Sequence, residues 1–480
     1  MMANDALRQL KSLHNVNWDS RVSLVDVMSG IGWGSDVPAS AHIVRETALG
    51  AYLDYIDGNY DRANASIDAV LACQYNAQGQ LWHGTFKMFA EQPDPSKENS
   101  REWVDYDPNW RQFLGVILAL CFIDHESHIG NERSQRIIRA VQLAVEGEPE
   151  DRIADWYTNP NMLHAWLQAW TGERTDNDEL LQAGIGRASM LYKRLQKYGD
   201  IDEYNSPTYD GIDLFAAALW VKFPPVSEFE MFGNAFVSTI CNRLNTLYHP
   251  GLGAVCGPYI RAYGLELNKY VSLVGIILLL GGESHQMVLP QVLNKETDHI
   301  HDLYFLPVFE RMSSVFIPKL EFSDSDFPRR HRQKFDSNVS DSLLTDYCAI
   351  GAEYGRVPDF AKNQYVPVVI HTKDASGITQ WLGVKLGKNT LAIDATISQD
   401  GKVEGKIYAR HGVDTVDLQI LSSVVGHLKN DELTMGGIIT NFNCSPRSNQ
   451  AERMKNGIAT TLNFSEKIVE FSIQLTRDVN

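Results

Sequence analysis

Four short loops carry most of the side chains in this chain that could do chemistry. They are EWVDYDPNWRQF (102–113), DWYTNPNMLHAW (155–166), DEYNSPTYDGIDL (202–214) and VCGPYIRAYG (255–264), and an earlier LWHGTF (81–86) resembles them. Each places Asn, Asp or Pro ahead of an apolar run, which is ordinary chemistry for starting a helix. Taken singly, Asn161, Asn205, Ser206 and Asp107 are caps. Capping does not account for the Trp, Tyr and His beside them. Arg261 stands between Tyr259 and Tyr263, a setting suited to gripping a carboxylate in bidentate fashion. His83 and His164 are candidate bases, because imidazole titrates near neutrality; a lone His on an apolar helix, as His164 is, is more often structural. Tyr204, Tyr209, Tyr259 and Tyr263 are either buried phenols with satisfied hydroxyls or proton-transferring groups. Trp110, Trp156 and Trp166 offer aromatic faces. Asp105, Asp107, Glu203 and Asp210 supply carboxylates.

The elements that must position these loops are helical. From residue 1 to about 312, helical periodicity dominates, with expected helices at 40–56, 61–75, 109–128, 132–146, 161–171, 176–197, 208–222, 227–247 and 266–282. No strand signals intervene, so a parallel α/β sheet is not expected. Helices that are polar on one face, such as 176–197, alternate with helices that are apolar nearly all round, such as 109–128, 208–222 and 266–282; the second kind must be buried. The buried helices begin near Trp110, Asn161, Thr208 and Tyr259, in steps of 51, 47 and 51 residues. That step is the length of a helical hairpin with its loops, a structural repeat without sequence identity. The expected architecture is therefore an (α/α) toroid, with an open solenoid as the alternative. In a toroid the loops that precede inner helices open at one end and line a single cleft.

Beyond residue 312 the texture changes. Segments such as QYVPVVIHTK, ITQWLGVKL, TLAIDATIS, KVEGKIYAR and KIVEFSIQLTR alternate in polarity and are separated by turns such as DASG and SQDGK, the pattern of an antiparallel β-sandwich. The expected organisation is a helical toroid over 1–312, a linker over 313–336 and a β-sandwich over 337–480. The cluster Arg329, Arg330, His331, Arg332 and Lys334 reads as a solvated part of the linker.

The chain has 480 residues, 44% of them hydrophobic, with a formal charge of −17. That field repels phosphate backbones and anionic lipid, so neither nucleic acid nor membrane is an expected partner. A small-molecule or oligosaccharide substrate remains, and a homo-oligomer is compatible with the sequence. The six cysteines form no CxxC pair and read as free thiols rather than a disulfide framework. The first residues lack an apolar signal core, and the longest apolar runs, 113–123 and 271–282, are too short to span a bilayer. A cytoplasmic protein is expected, or a secreted one whose leader is missing. No cofactor is implied. His299 and His301, flanked by Asp298 and Asp302, have a spacing that can bind a divalent ion, but no third histidine is placed by sequence, and no metal is expected.

A helical toroid followed by an antiparallel β-sandwich resembles the polysaccharide lyases of the alginate-lyase and heparinase II/III type. The resemblance lies in the order of elements and the character of the loops over most of the chain. It implies β-elimination at a uronate: Tyr or His removes the proton next to the carboxylate, and Asn, Arg or His neutralises that carboxylate. Carried onto this chain, Asn205 and Arg261 are the neutralisers, Tyr209 or Tyr259 the base or acid, and His164 a partner base. Arg261 is expected to lower a nearby tyrosine toward deprotonation. The surrounding substrate contacts would be His83, Trp110, Asp107, Trp156, Asn161, Glu203, Tyr204 and Tyr263. The chain lacks an NNH-like neutraliser motif. Two other enzymes fit the same scaffold: a glycoside hydrolase with paired carboxylates, and a cyclase or dehydratase-isomerase of a hydrophobic, terpenoid-like metabolite, in which Cys256 and His83 would be the acid/base groups. A carbohydrate-binding or scaffold protein is the non-enzymatic alternative, and the density of Tyr, Arg, Asn and His in one mouth speaks against it.

Overall fold

The computed structural model describes residues 2–28, 40–358, 361–374, 376–435 and 437–475. The helices are α1 (Met2–Asn17), α2 (Val44–Ile56), α3 (Tyr60–Ala72), α4 (Trp110–Ile129), α5 (Asn131–Glu146), α6 (Thr158–Arg174), α7 (Asp178–Tyr198), α8 (Asp210–Lys222), α9 (Ser227–Leu247), α10 (Leu273–Leu280), α11 (His285–Val288) and α12 (Leu306–Phe316). Burial sorts them into two layers. In α8 every residue from Asp210 to Trp220 is buried, and α2, α4, α6 and α10 are nearly as enclosed. In α5 only a stripe at helical spacing is buried, including Ser134, Ile137, Val141 and Val145, as a helix with one wet face requires. The hairpins α2/α3, α4/α5, α6/α7 and α8/α9 each pair an inner helix with an outer one, and the inner helices pack in succession from α2 to α10. The last helix, α12, packs on α8 and α10 and returns to α2. This closes the ring, which an open solenoid would not do.

Close packing within a hairpin depends on residue size. A Cβ at Gly184 on α7 would lie 2.6 Å from the Ala169 backbone nitrogen on α6. Helix starts follow local chemistry: Asn177 accepts from Leu180 N at the head of α7, and Ser272 accepts from Gly275 N at the head of α10. The expected helix 266–282 is shorter than its apolar run suggested. Its first residues form a 3-10 turn, Leu267–Lys269, and an extended approach, because that approach is pinned to the second domain. The start of 40–56 is likewise strand, not helix.

Short strands accompany the ring: β1 (Trp18–Asp19), β2 (Leu24–Asp26) and β3 (His42–Ile43) form one small sheet, and β4 (Tyr248–His249) pairs with β5 (Ala254–Val255). The sandwich contains β6 (Arg329–Phe335), β7 (Asn338–Leu344), β8 (Cys348–Tyr354), β9 (Val368–Lys373), β10 (Thr379–Leu386), β11 (Thr390–Ile397), β12 (Val403–Ala409), β13 (Val416–Ser422), β14 (His427–Lys429), β15 (Glu432–Met435), β16 (Ile438–Phe442), β17 (Ser448–Met454), β18 (Gly457–Phe464) and β19 (Ile468–Leu475). An eight-stranded sheet runs β17-β18-β13-β10-β9-β8-β7-β6 and a six-stranded sheet β11-β12-β19-β16-β15-β14, and every pairing is antiparallel. Ile350, Ile370 and Leu382 of the first sheet meet Ile393, Ile407 and Phe471 of the second in one core.

The stretch 313–336 is not all linker. It holds the end of α12 and the edge strand β6. The basic cluster is that strand: Arg330 pairs with Asp341 on β7 and also donates to the Ile397 carbonyl, and alternating residues point inward. Charged side chains on an edge strand discourage further pairing.

The middle of the large sheet is covered on both faces. Its second face meets the helical ring: Val369, Trp381, Leu421 and Ala459 pack against Tyr259, Ala262 and Leu265, while Phe335, Leu344 and Ala349 join the helical core. The approach is closest where a Cβ on Gly351 would lie 1.9 Å from the Gly257 carbonyl carbon. Backbone against backbone cannot yield as a side-chain tip can. Gly351→Ala is expected to destabilise the protein by about 1–3 kcal/mol. Equilibrium denaturation checks this, and an unchanged midpoint would contradict the docking.

Candidate active site

The residues just ahead of the inner helices gather at one mouth of the ring. Arg45 starts α2, Asp107 and Asn109 precede α4, Tyr157 precedes α6, Tyr209 precedes α8, Tyr263 lies before α10, and His299 to Asp302 lead into α12. Their contacts join them. Asn109 Nδ2 donates to the Tyr157 hydroxyl at 2.9 Å. The Arg261 guanidinium lies 3.6 Å from the centre of the Tyr209 ring and 5.3 Å from that of Tyr157. The hydroxyls of Tyr209 and Tyr263 share a hydrogen bond of 2.7 Å. The Tyr263 ring stacks on His299 at 4.6 Å, nearly parallel. Arg45 Nη2 reaches Asp302 at 3.4 Å and covers Trp110 and Phe305.

One buried ion pair organises the centre. Glu203 accepts from Arg261 Nη1 at 2.7 Å, from Asn159 N at 2.9 Å and from Asn159 Nδ2 at 2.6 Å. Arg261 Nε donates to Gln364 Oε1 at 2.8 Å, and the Arg261 carbonyl accepts from Ser206 Oγ at 2.6 Å. The start of α6, the approaches to α8 and α10, and the sandwich therefore meet at two side chains. The sandwich also holds the Arg261 loop along its length. Tyr259 and Val366 exchange backbone hydrogen bonds of 3.0 and 2.9 Å, and Ala262 N donates to Gln364 O at 2.8 Å. Ser342 Oγ donates to the Gly257 carbonyl, and Trp381 Nε1 donates to Glu266.

Among the residues singled out from sequence, Tyr209, Arg261, Glu203, Tyr263, Asp107 and Trp156 come together here. Trp156 is half-buried and stacks on Tyr157 at 5.7 Å. Tyr263 is 44% exposed, so its ring is open to a ligand. The others serve the scaffold. Tyr259 is buried and its hydroxyl donates to the Val255 carbonyl. Asn205, held at φ 55°, spends both amide hydrogens on the Cys256 and Pro258 carbonyls, so it fixes the Arg261 loop instead of neutralising a carboxylate. His164 is enclosed in the helical core, where burial pushes its pKa down to about 3. Asn161 donates to Ala154 and Tyr157 carbonyls. Trp110 and Trp166 have no exposed face. Tyr204 is buried against His331 and Arg243. His83 accepts from Ala77 N in a loop packed on the α5 end. Cys256 is buried, with its thiol donating to the Ile350 carbonyl, and burial raises its pKa. Of the carboxylates, Asp105 is tied to Arg101 at the surface, and Asp210 lies in a buried group with Arg243 and Asp200.

The expected lowering of a tyrosine pKa by Arg261 is not what the site does at rest. Burial raises Tyr209 well above the ordinary phenol value, against the pull of Arg261, and raises Tyr263 as well. Glu203 answers part of the Arg261 charge, and the pull that remains on the phenol does not outweigh the cost of burying it.

Sequence reasoning missed Tyr157, Arg45, Gln364, His299 and Asp302 as members of the mouth. Tyr157 was within a quoted loop and could have been found by its place directly ahead of a buried helix. Arg45 and Gln364 carry no local signal. Asp213 was missed too: it is buried, neither oxygen has a hydrogen-bond partner among the described residues, and burial, with Glu203 and Asp210 nearby, raises its pKa well above the usual carboxylate value.

Burial raises Asp107 from 3.8 to about 6. Between about pH 4 and pH 6 the folded state keeps a proton that the unfolded chain has released, so this group's contribution to stability falls as pH rises. Asp107→Asn retains an acceptor for Asn109 N and removes the titration. Denaturation midpoints across this range are expected to decline less in the variant than in the parent; equal declines would contradict the assignment.

No curated protein matches the sequence. Among solved structures, the chain is similar to a chondroitinase AC lyase (10% identity, TM-score 0.36, covering 98% of this chain and 80% of that one). It is similar to the endoglucanase CelQ from Clostridium thermocellum (9%, TM-score 0.34, 99% and 93%) and to a heparinase III (8%, TM-score 0.33, 89% and 76%). Residues 41–314, which span β3 to α12, match the model of the family described as Domain of unknown function (DUF8769). The match takes in more than half of the chain, and the chain belongs to that family.

Proposed function

We propose that this chain is a carbohydrate-active enzyme, a carbon–oxygen lyase that cleaves uronate-containing oligo- or polysaccharides by β-elimination at the ring mouth. The observation that carries the reading is the pair of phenols, Tyr209 and Tyr263, sharing a 2.7 Å hydrogen bond over the Arg261 guanidinium, with the Tyr263 ring open to solvent. β-Elimination needs one group that takes a proton and one that gives a proton, close together. A phenol pair that carries one proton between two oxygens meets both needs. The deprotonated oxygen takes the proton next to the uronate carboxylate. The enolate then re-forms a carbon–carbon double bond and expels the glycosidic oxygen, which takes the proton held by the other phenol. The pair ends with one proton, as it began.

Two features favour the singly charged pair against the cost of burial. The remaining O–H donates to the phenolate, a strong charge-assisted bond, and the cation beneath the Tyr209 ring stabilises negative charge there. Because burial raises both phenols, the active form gains population as pH rises, and turnover should increase into the alkaline range. Trp156 and the exposed Trp103 offer faces for sugar rings.

A glycoside hydrolase is the second reading. Asp107, raised to about 6, and Asp302, raised to about 7, have the values a general acid needs near neutrality. Glu203, another of the loop carboxylates, is occupied by Arg261.

Purified protein and a panel of uronate-containing oligosaccharides decide between them. The expected result is a rise in the ultraviolet absorbance of a conjugated unsaturated uronate, reduced about 10²–10⁴-fold in Tyr263→Phe with an unchanged circular dichroism spectrum. A flat trace with new reducing ends would establish hydrolysis instead. A fully active Tyr263→Phe would remove the phenol pair from the mechanism.

A further inference from the structure

We propose that His299, His301 and Asp302 form a binding site for one divalent transition-metal ion at the rim of the mouth, beside Tyr263. Each of the three offers a ligand atom, and these atoms lie within 4.8 Å of one another. His299 Nδ1 is 3.9 Å from one Asp302 oxygen and His301 Nε2 is 3.5 Å from the other. The spacing follows from the chain. His299 sits at φ 53° and starts a 3-10 helix over Ile300–Phe305. In that helix, residues three apart stand on the same face, which sets His299 over Asp302.

The second observation is unmet hydrogen bonding. His299 Nδ1, the nitrogen that faces Asp302, is buried without a hydrogen-bond partner among the described residues; His301, 6% exposed, turns Nε2 to Asp302, and its opposite nitrogen Nδ1 is likewise buried and unpartnered. Buried polar atoms left without partners are few in native proteins and call for an ion, a water or a function. Two imidazoles and a carboxylate form a donor set that suits first-row divalent ions, and three protein ligands leave coordination positions for water or substrate. Neighbouring groups hold the ligands in place. The His299 ring is stacked on Tyr263 and meets Tyr270 edge-on. Asp298, the fourth polar residue of the segment, is turned toward the sandwich, where Asn456 and Lys455 hold it. Arg45 contacts Asp302, and its charge is answered by Glu46.

The site exists or fails on its own, but its role rests on the lyase reading. Asn205 and Arg261 are committed to the scaffold, which leaves the uronate carboxylate without a neutralising partner. An ion held here, next to the exposed phenol, supplies one by binding the carboxylate oxygens.

The test uses the full chain, freed of metal with a chelator and titrated calorimetrically with Zn²⁺. One equivalent is expected to bind, with affinity at least 100-fold weaker in His301→Ala and in Asp302→Asn. Co²⁺ bound to the unaltered chain should give the absorption of a low-symmetry site with nitrogen and oxygen ligands, which guards against variants that fail to fold. Binding that is absent, or that persists unchanged in both folded variants, would overturn the site. Zn²⁺ binding with no elimination from any uronate would keep the site and end the lyase reading. Elimination that proceeds unchanged in chelator, with no Zn²⁺ bound, would do the reverse.

Discussion

The buried pair of Glu203 and Arg261 is the interaction on which the mouth depends. Both side chains are almost fully removed from water, and a charge in that position is tolerated only when it is paired and hydrogen-bonded. Their other partners are therefore part of the requirement. Asn159 gives Glu203 two donors, Gln364 takes one from Arg261, and the rings of Tyr157 and Tyr209 cover the guanidinium. Since these partners come from separate loops and from both domains, satisfying two charges fixes the relative positions of all of them. The phenol pair inherits its geometry from this arrangement.

The sandwich has a mechanical place in the same scheme. A ring of helical hairpins is rigid along its helices and weak in the loops at its ends. Here the loop that carries Arg261 and Tyr263 is backed by a sheet, bonded to it through Tyr259 and Ala262 and packed on it through Leu265 and Trp381. Asn205 ties the adjoining loop to the same backbone. Side chains such as Tyr259 and Asn205, which had the look of catalysts, are thus fasteners of these loops.

The ring was legible in the sequence because inner helices such as α8 are apolar nearly all round beyond the first turn, and a helix of that kind must be buried. The sheet was legible where β-branched and aromatic runs stand between turns, as at β9, although that strand is buried on all but its last residue. It was not legible at β8, CAIGAEY, which is as buried but rich in Ala and Gly, residues that carry no strand signal. Nor was it legible at β17, exposed throughout, or at β6, where a run of arginines looks like a linker until its cross-strand partner Asp341 is known. The site followed the same rule. The loops could be found from their density of aromatic and polar residues, but the roles within them could not. Whether Tyr259 or Tyr263 faces outward depends on which one meets Val366, and that contact spans more than a hundred residues. Arg45, Gln364 and Asp302 join the mouth only through tertiary packing.

The most direct test of this account is a double-mutant cycle on the central pair, Arg261→Met with Glu203→Gln, read by equilibrium unfolding. Removing either partner leaves the other charged or polar group buried and unanswered, so each single variant is expected to lose about 3–5 kcal/mol. The double variant should lose little more than one of them, giving a coupling of at least about 2 kcal/mol. Additive losses would mean that the two residues do not act as one interaction, and the mouth would then have to be held by something else.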